Sequence, residues 1–159
     1  MSKIKIVIMD VDGTLTDGKI NIGNSGEVFK SFDVKDGYAI KHILPENNII
    51  PMIITGRKSQ ITENRAKEIG IQEIYQGIEN KLELLENICD KHNIKPVNIA
   101  YIGDDLNDLG IMQVVGIAAC PANASVQVKN ISKYISDKNG GDGAVRDFIE
   151  WIVKNNEIL

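Results

Sequence analysis

The sequence predicts an α/β fold in which a doubly wound, Rossmann-like parallel sheet is covered by helices on both faces. Five short, mostly apolar segments largely lack the polar alternation of half-exposed strands, so they are typical of strands buried on both sides. These segments are 3–9, 49–54, 73–76, 98–102 and 116–119. Helix-length amphipathic segments lie between them, and this alternation of strands with helices indicates a doubly wound sheet.

The first predicted strand is followed by residues 19–32, which interrupt this alternation. Two strand-like runs flank a turn-forming cluster at 23–26, so the segment is predicted to be a β-hairpin inserted after the first strand. Its apolar side chains either pack back onto the domain or meet a second subunit, and the sequence leaves both open. They are Ile20, Ile22, Val28, Phe29 and Phe32.

Two later segments have the apolar periodicity of amphipathic helices. Residues 80–92 are predicted to turn one face inwards, formed by Leu82, Leu85, Ile88 and Cys89. Residues 144–154 are predicted to do the same with Val145, Phe148, Ile149, Ile152 and Val153.

Length and composition indicate one globular domain that spans residues 1–159, with 43% hydrophobic and 25% charged residues. The net charge of −4 argues against a nucleic-acid partner, which would need clustered Lys and Arg. No apolar run is long enough to cross a membrane, so we expect a soluble, cytoplasmic protein without a membrane partner. Cys89 and Cys120 are isolated in apolar surroundings and are expected to be buried free thiols.

Acidic and hydroxyl side chains follow three of the predicted strands. Asp10 and Asp12 follow the first, Thr55 the second, and Asp104 the fourth. The pair alone would also suit a simple turn, but the carboxyl ends of parallel strands meet at one edge of a sheet. Clustered carboxylates repel each other unless a cation holds them, and an all-oxygen cluster suits Mg²⁺ with a substrate phosphate. Lys81 completes the charge balance on the substrate side.

Four motifs occur in a defined order and spacing. They are DVDGTLTDG from Asp10, ITGR, the lysine of GIENK, and GDDLND. Together they resemble the motifs of the haloacid dehalogenase superfamily of phosphatases, which implies the fold of those hydrolases. The hairpin, the segment 76–81 and the tail GGDGAVRDFIEWI are similar to the capless subgroup of 3-deoxy-D-manno-octulosonate 8-phosphate phosphatases. The resemblance therefore also implies that the chain has no cap domain.

The resemblance implies a role for each motif residue. Asp10 is expected to be the nucleophile that forms an aspartyl-phosphate, and Asp12 the general acid and then the general base. Mg²⁺ is expected on the Asp10 carboxylate, the Asp12 backbone carbonyl and the Asp104 carboxylate. Thr55 and Lys81 are expected to hold the phosphoryl oxygens.

Six further residues are expected to act around this centre. Of Asp105 and Asp108, one is expected to reach the metal through water and the other to orient Lys81, although Asp105 could simply cap the following helix. Gly56 and Arg57 are expected to bind substrate. Arg57 can form a two-pronged contact with a sugar-acid carboxylate, or it is a solvated arginine at a helix start. Relatives that act on nine-carbon sugar acids tend to carry an acidic residue at this position, so the resemblance implies an eight-carbon substrate. Lys58 and Arg146 are secondary candidates.

The implied activity is Mg²⁺-dependent hydrolysis of a small phosphorylated sugar acid, 3-deoxy-D-manno-octulosonate 8-phosphate. A phosphatase of another sugar phosphate, such as a nonulosonate 9-phosphate, stays open. A receiver-type phospho-acceptor signalling domain is the alternative from another class, and Asp12 and the order of Thr55 and Lys81 count against it. The capless subgroup also implies a homotetramer, in which hairpins of neighbouring subunits pair.

Overall fold

A computed structural model describes residues 3–157, and its centre is a six-stranded parallel sheet. The strands in chain order are β1 (Ile6–Met9), β2 (Asn21–Gly23), β3 (Gly26–Phe29), β4 (Ile50–Ile54), β5 (Glu73–Tyr75), β6 (Ile99–Ile102), β7 (Ile117–Cys120) and β8 (Tyr134–Ile135). The order across the sheet is β5-β4-β1-β6-β7-β8, with every pairing parallel. The predicted parallel sheet is confirmed, and β1 lies inside it between β4 and β6.

The helices connect the strands. They are α1 (Val34–Tyr38), α2 (Leu44–Glu46), α3 (Gln60–Glu68), α4 (Lys81–His92), α5 (Leu109–Met112), α6 (Val126–Ile131) and α7 (Ala144–Asn155). A π-helical turn (Ala39–Ile43) joins α1 to α2, and 3₁₀ turns at Pro96–Asn98 and Leu106–Asp108 flank β6. In the part of the chain that the structure describes there is no cap domain, and no helix is long and apolar enough to cross a membrane.

Side chains of β1 alternate between two hydrophobic cores, one on each face of the sheet. Val7 and Met9 pack in the core that is covered by the helical segment 34–46, α3 and α7. Ile6 and Ile8 pack in the core that is covered by α4, α5 and α6. Because both faces of the strand are buried, β1 consists of four consecutive apolar residues, as the sequence predicted.

Helix α4 begins one residue later than predicted and turns a different residue inwards. The Asn80 side chain caps the helix by accepting the Glu83 backbone N–H. Lys81, rather than Leu82, occupies the buried position one turn before Leu85, so the prediction for Leu82, which is 37% exposed, is wrong. The carboxylates of Asp10 and Asp108 explain this difference, because they accept hydrogen bonds from the Lys81 ammonium at this position, which a leucine could not donate.

Strands β2 and β3 form the predicted hairpin, which lies outside the main sheet. Four of its five apolar side chains are exposed, including Ile22 at 72% and Phe29 at 53%, while Phe32 packs against a core. Strand β8 and the helical segment 34–46 were not predicted. A two-residue strand has no periodicity to detect, and Gly37 and Pro45 obscure the helical pattern.

Candidate active site

Three neighbouring strands bring the predicted polar residues to one edge of the sheet. Asp10 directly follows β1, Thr55 directly follows β4, and Asp104 lies two residues after β6. A cavity of about 270 Å³ opens at this edge. It is lined by Asp10, Asp12, Gly18, Thr55, Gly56, Arg57, Asp104, Asp105 and Asn107.

Beneath the cavity, Lys81 is held by three oxygen atoms. Its Nζ donates to Asp10 Oδ1 at 3.0 Å, to Asp108 Oδ1 at 2.7 Å and to the Tyr101 hydroxyl at 2.9 Å. The Tyr101 hydroxyl in turn donates to Asp108 Oδ1 at 2.5 Å. Burial acts to lower the pKa of Lys81, but the charges of Asp10 and Asp108 outweigh it and raise that pKa. Lys81 is therefore a fixed cation beside Asp10.

Asp108 also shapes the loop that carries Asp104. Its Oδ2 accepts the backbone N–H groups of Asp104 at 2.9 Å and of Asp105 at 3.2 Å. Asp108 thus contacts Lys81 with one oxygen and the loop with the other, whereas Asp105 is exposed and caps the 3₁₀ turn by accepting the Leu106 N–H. Asp108 therefore has the geometry expected of the residue that orients Lys81. The geometry of Asp105 fits the alternative interpretation, in which it caps the following helical turn.

Carboxylate oxygens of Asp10, Asp104 and Asp108 lie within 4.8 Å of one another. Burial, followed by the charge of Asp108, raises the pKa of Asp10 to about 6 despite Lys81. Burial, followed by the charges of Asp10 and Asp108, raises the pKa of Asp104 to about 8. Ionising all three groups is therefore costly, and a divalent cation removes that cost. The residues present fit Mg²⁺, which prefers such oxygen ligands.

Gly13 allows Asp104 to approach the loop that follows β1. Its φ of +89° lies in the left-handed region, and a Cβ atom there would stand 2.0 Å from Asp104 Oδ2. Thr14, the next residue, donates its hydroxyl to Asp104 Oδ1 at 3.3 Å. The glycine of the motif DVDGT is thus required by the position of a carboxylate 91 residues later in the chain.

Asp12 pairs with a residue that was not predicted. Lys30, just after β3, places its Nζ 2.5 Å from Asp12 Oδ1 and 2.8 Å from Glu27 Oε1. Glu27 Oε2 accepts the Ser59 hydroxyl at 2.5 Å. No local sequence pattern marks Lys30, because its partner Asp12 lies 18 residues away on another element. Tyr101 was also missed, although a hydroxyl in an otherwise apolar buried strand signals a polar partner.

The candidate substrate-binding residues divide between two places. Gly56 and Arg57 lie at the cavity, and Arg57 is exposed there. Lys58 is exposed nearby but is not among the lining residues. Arg146 is not among the lining residues either: it lies on α7, where its Nε pairs with Glu150 at 2.5 Å and its guanidinium stacks over Tyr38.

A doubly wound fold with clustered acids and a lysine at the sheet edge is typical of a class of hydrolases, and sequence comparison identifies that class. Residues 70–149 match the family model described as haloacid dehalogenase-like hydrolase. The chain belongs to this family, as its motifs indicated.

Particular relatives lie within this class. The 3-deoxy-D-manno-octulosonate 8-phosphate phosphatase KdsC of Salmonella typhi is 42% identical over 94% of this chain and 79% of that protein. The crystal structure of such a phosphatase from Moraxella catarrhalis, in complex with magnesium, phosphate and KDO, is 42% identical, with a TM-score of 0.91 over 98% of this chain and 90% of that one. The phosphatase from Yersinia pestis is 38% identical, with a TM-score of 0.92 over 97% and 83%.

Proposed function

We propose that this protein is a Mg²⁺-dependent phosphomonoesterase that hydrolyses 3-deoxy-D-manno-octulosonate 8-phosphate. The observation that carries the proposal is the position of Asp10, which lies at the cavity with Lys81 on one side and Asp104 on the other. A nucleophile for phosphorus needs such neighbouring positive charge, because the incoming phosphate is itself an anion. The named relatives, which are similar over most of the chain, support this substrate.

In this mechanism Asp10 attacks phosphorus and forms an aspartyl-phosphate, while the ester oxygen leaves with the electrons of the broken P–O bond. Asp12 gives its proton to the departing oxygen and later takes one from the hydrolytic water. Thr55 lines the cavity and binds the phosphoryl oxygens, while Lys81, whose three N–H groups already donate to Asp10, Asp108 and Tyr101, supplies positive charge beside them. When bound to the carboxylates of Asp10 and Asp104 and to the Asp12 carbonyl, Mg²⁺ supplies charge neutralisation for the phosphoryl group.

Substrate choice is assigned to the exposed rim of the cavity. Arg57 has a planar guanidinium that matches a carboxylate in two-pronged geometry, and it lies beside Gly56 at the cavity. The eight-carbon sugar acid supplies such a carboxylate. We expect Arg57→Glu to raise KM for the octulosonate ester. The KM for p-nitrophenyl phosphate, which has no carboxylate, should rise less.

The test is Mg²⁺-dependent release of inorganic phosphate from the octulosonate ester and from p-nitrophenyl phosphate. The variant Asp10→Asn should lose at least about 10³-fold in kcat, and Asp12→Asn about 10²- to 10⁴-fold on the octulosonate ester. Asp90→Asn, an exposed change on α4, is the matched control and should retain activity. Stable phosphorylation of Asp10 without turnover would favour a receiver domain, and full activity of Asp10→Asn would overturn the mechanism.

We further propose that the protein is a homotetramer in which hairpins of neighbouring subunits pair. An isolated two-stranded ribbon is only marginally stable, and this one exposes Ile20, Ile22, Val28 and Phe29. Light scattering after size exclusion should give about four times the 17.5 kDa chain mass, and Ile22→Lys should lower it. Val126→Lys, an equally exposed apolar position on α6, is the control, and a wild-type monomer at micromolar concentration contradicts the proposal.

We also propose that the reaction takes place in the cytoplasm. Cys89 and Cys120 are both free and buried, and unpaired thiols suit a reducing compartment. Fractionation of cells that express the full chain tests this placement, and the phosphatase activity should be recovered with the soluble cytoplasmic fraction.

A further inference from the structure

Lys30 is a buried cation whose position links the hairpin to the active-site loop. Its side chain is only 2% exposed, although it follows a hairpin strand whose apolar side chains are largely in solvent. The Nζ atom contacts Asp12 on the loop after β1 and Glu27 on β3. The lysine therefore reaches back from the hairpin to the carboxyl group that the mechanism uses as an acid and a base.

The second partner of Lys30 is itself held. Glu27 accepts the hydroxyl of Ser59, and Ser59 also caps α3 by accepting the Thr62 N–H. Burial acts to raise the pKa of Glu27, but hydrogen bonds from Lys30 and Ser59 outweigh it and lower that pKa. The ammonium is thus fixed between two carboxylates, one of which is anchored to the start of a helix. Buried charges are stable only when paired in this way.

We propose that Lys30 is a positioning residue that holds the Asp12 carboxyl group in the orientation needed to protonate the leaving group. The proposal rests on the proposed function. Asp12 lies in a turn, and its side chain is 20% exposed at the cavity. The contact with Lys30 fixes one carboxylate oxygen while the residue lines the cavity. No such role is needed for the nucleophile Asp10, which Lys81 already holds.

The consequence concerns one step of the reaction. As the bond between Asp10 and phosphorus forms, the ester P–O bond breaks, and a proton moves to the departing oxygen from Asp12 Oδ2, the oxygen that Lys30 does not contact. A sugar alkoxide is a poor leaving group and needs that proton, whereas p-nitrophenolate departs without it. Because kcat/KM includes this step, an incorrectly oriented Asp12 should lower kcat/KM for alkyl esters more than for p-nitrophenyl phosphate.

The experiment measures kcat/KM of the magnesium-loaded, full-length protein for a series of phosphomonoesters. The series runs from p-nitrophenyl phosphate through less acidic phenols to ethyl phosphate and the octulosonate ester. In Lys30→Met we expect a loss of about 10- to 100-fold on the alkyl esters and less than about threefold on p-nitrophenyl phosphate. The dependence on leaving-group acidity should be steeper than in the wild type.

Two further variants separate positioning from structural damage. Lys30→Met leaves Glu27 without its cation, so the double variant Lys30→Met/Glu27→Gln is measured as well and should show the same steepening. Lys19→Met, which removes an exposed lysine at the start of the hairpin segment, is the matched control and should leave the series unchanged.

Each other outcome overturns the proposal in a recognisable way. An equal loss on every ester would mean that Lys30 only supports the fold. A loss confined to the octulosonate ester would make Lys30 a contact of the sugar instead. An unchanged series would show that Asp12 needs no support. If the wild type hydrolyses none of the esters in the presence of Mg²⁺, the proposed function fails, and the role of Lys30 fails with it.

Discussion

At the scale of single residues, the site depends on charges that are buried in pairs. Lys81 and Asp108 are almost fully buried, and each is stabilised there by the charge of the other and by a hydrogen bond with the hydroxyl of Tyr101. The Tyr101 hydroxyl contacts both charged groups, because it accepts a hydrogen bond from Lys81 and donates one to Asp108. A side chain from the centre of the sheet thus completes the polar site.

This arrangement predicts a cost for removing one hydroxyl. Tyr101→Phe should lower the free energy of unfolding by about 1–3 kcal/mol, because Asp108 and Lys81 each lose a buried hydrogen bond to a charged group. Urea unfolding at constant Mg²⁺ measures the change. Tyr38→Phe is the control, since Tyr38 is 56% exposed, and it should stay within about 0.5 kcal/mol of the wild type. A comparable effect of both substitutions would contradict the proposed contribution of the network.

At the scale of elements, α1 and α7 meet at a buried carboxyl group. Asp36 Oδ1 accepts the Arg146 backbone N–H in the first turn of α7, while Oδ2 is buried without a hydrogen-bond partner. Burial raises the pKa of Asp36 to about 7, although the Arg146 N–H acts in the opposite direction. The folded protein therefore binds this proton more tightly than the unfolded chain does.

The contribution of Asp36 to stability is complete below pH 4 and is lost as the pH rises through about 7. Relative to the wild type, Asp36→Asn should gain about 2–3 kcal/mol in free energy of unfolding between pH 5 and pH 8. Urea unfolding at saturating Mg²⁺ measures this difference. The exposed change Asp90→Asn should show no such trend, and a flat difference for Asp36→Asn would contradict the assignment.

The elements also show what the sequence could and could not predict. Apolar runs predicted the buried strands, and polar residues at strand ends predicted the cluster of Asp10, Thr55 and Asp104, because both follow from local pattern and sheet topology. Lys30 could not be predicted, since its burial depends on how the hairpin folds back towards Asp12. Leu82 was misplaced for a similar reason: the inward face of α4 is set by carboxylates on other elements.

At the scale of the whole molecule, the fold concentrates negative charge where a metal fits. The cluster of Asp10, Asp104 and Asp108 costs stability when it is ionised without a cation, so Mg²⁺ should stabilise the folded state. At a hundredfold excess over Kd the expected gain is about 3 kcal/mol, seen as a higher Tm in thermal unfolding and lost on chelation.

Asp104→Asn separates repulsion from metal binding. Above the pKa of about 8, the metal-free variant should be at least as stable as the metal-free wild type, because one of three repelling carboxylates is gone. Its gain in Tm with Mg²⁺ should be much smaller. Asp90→Asn is the control, since Asp90 is exposed on α4 and lies outside the cluster. A lower metal-free Tm for Asp104→Asn would contradict the repulsion argument.

The separation between the two hydrophobic cores and the polar rim has a consequence for how such enzymes diversify. The rim residues Gly56 and Arg57 are exposed and belong to neither core, whereas no side chain described in the two cores lines the cavity. Substitutions at the rim can therefore change substrate specificity without destabilising the fold. Proteins that descend from one ancestor can in this way acquire new substrates while their cores stay almost unchanged.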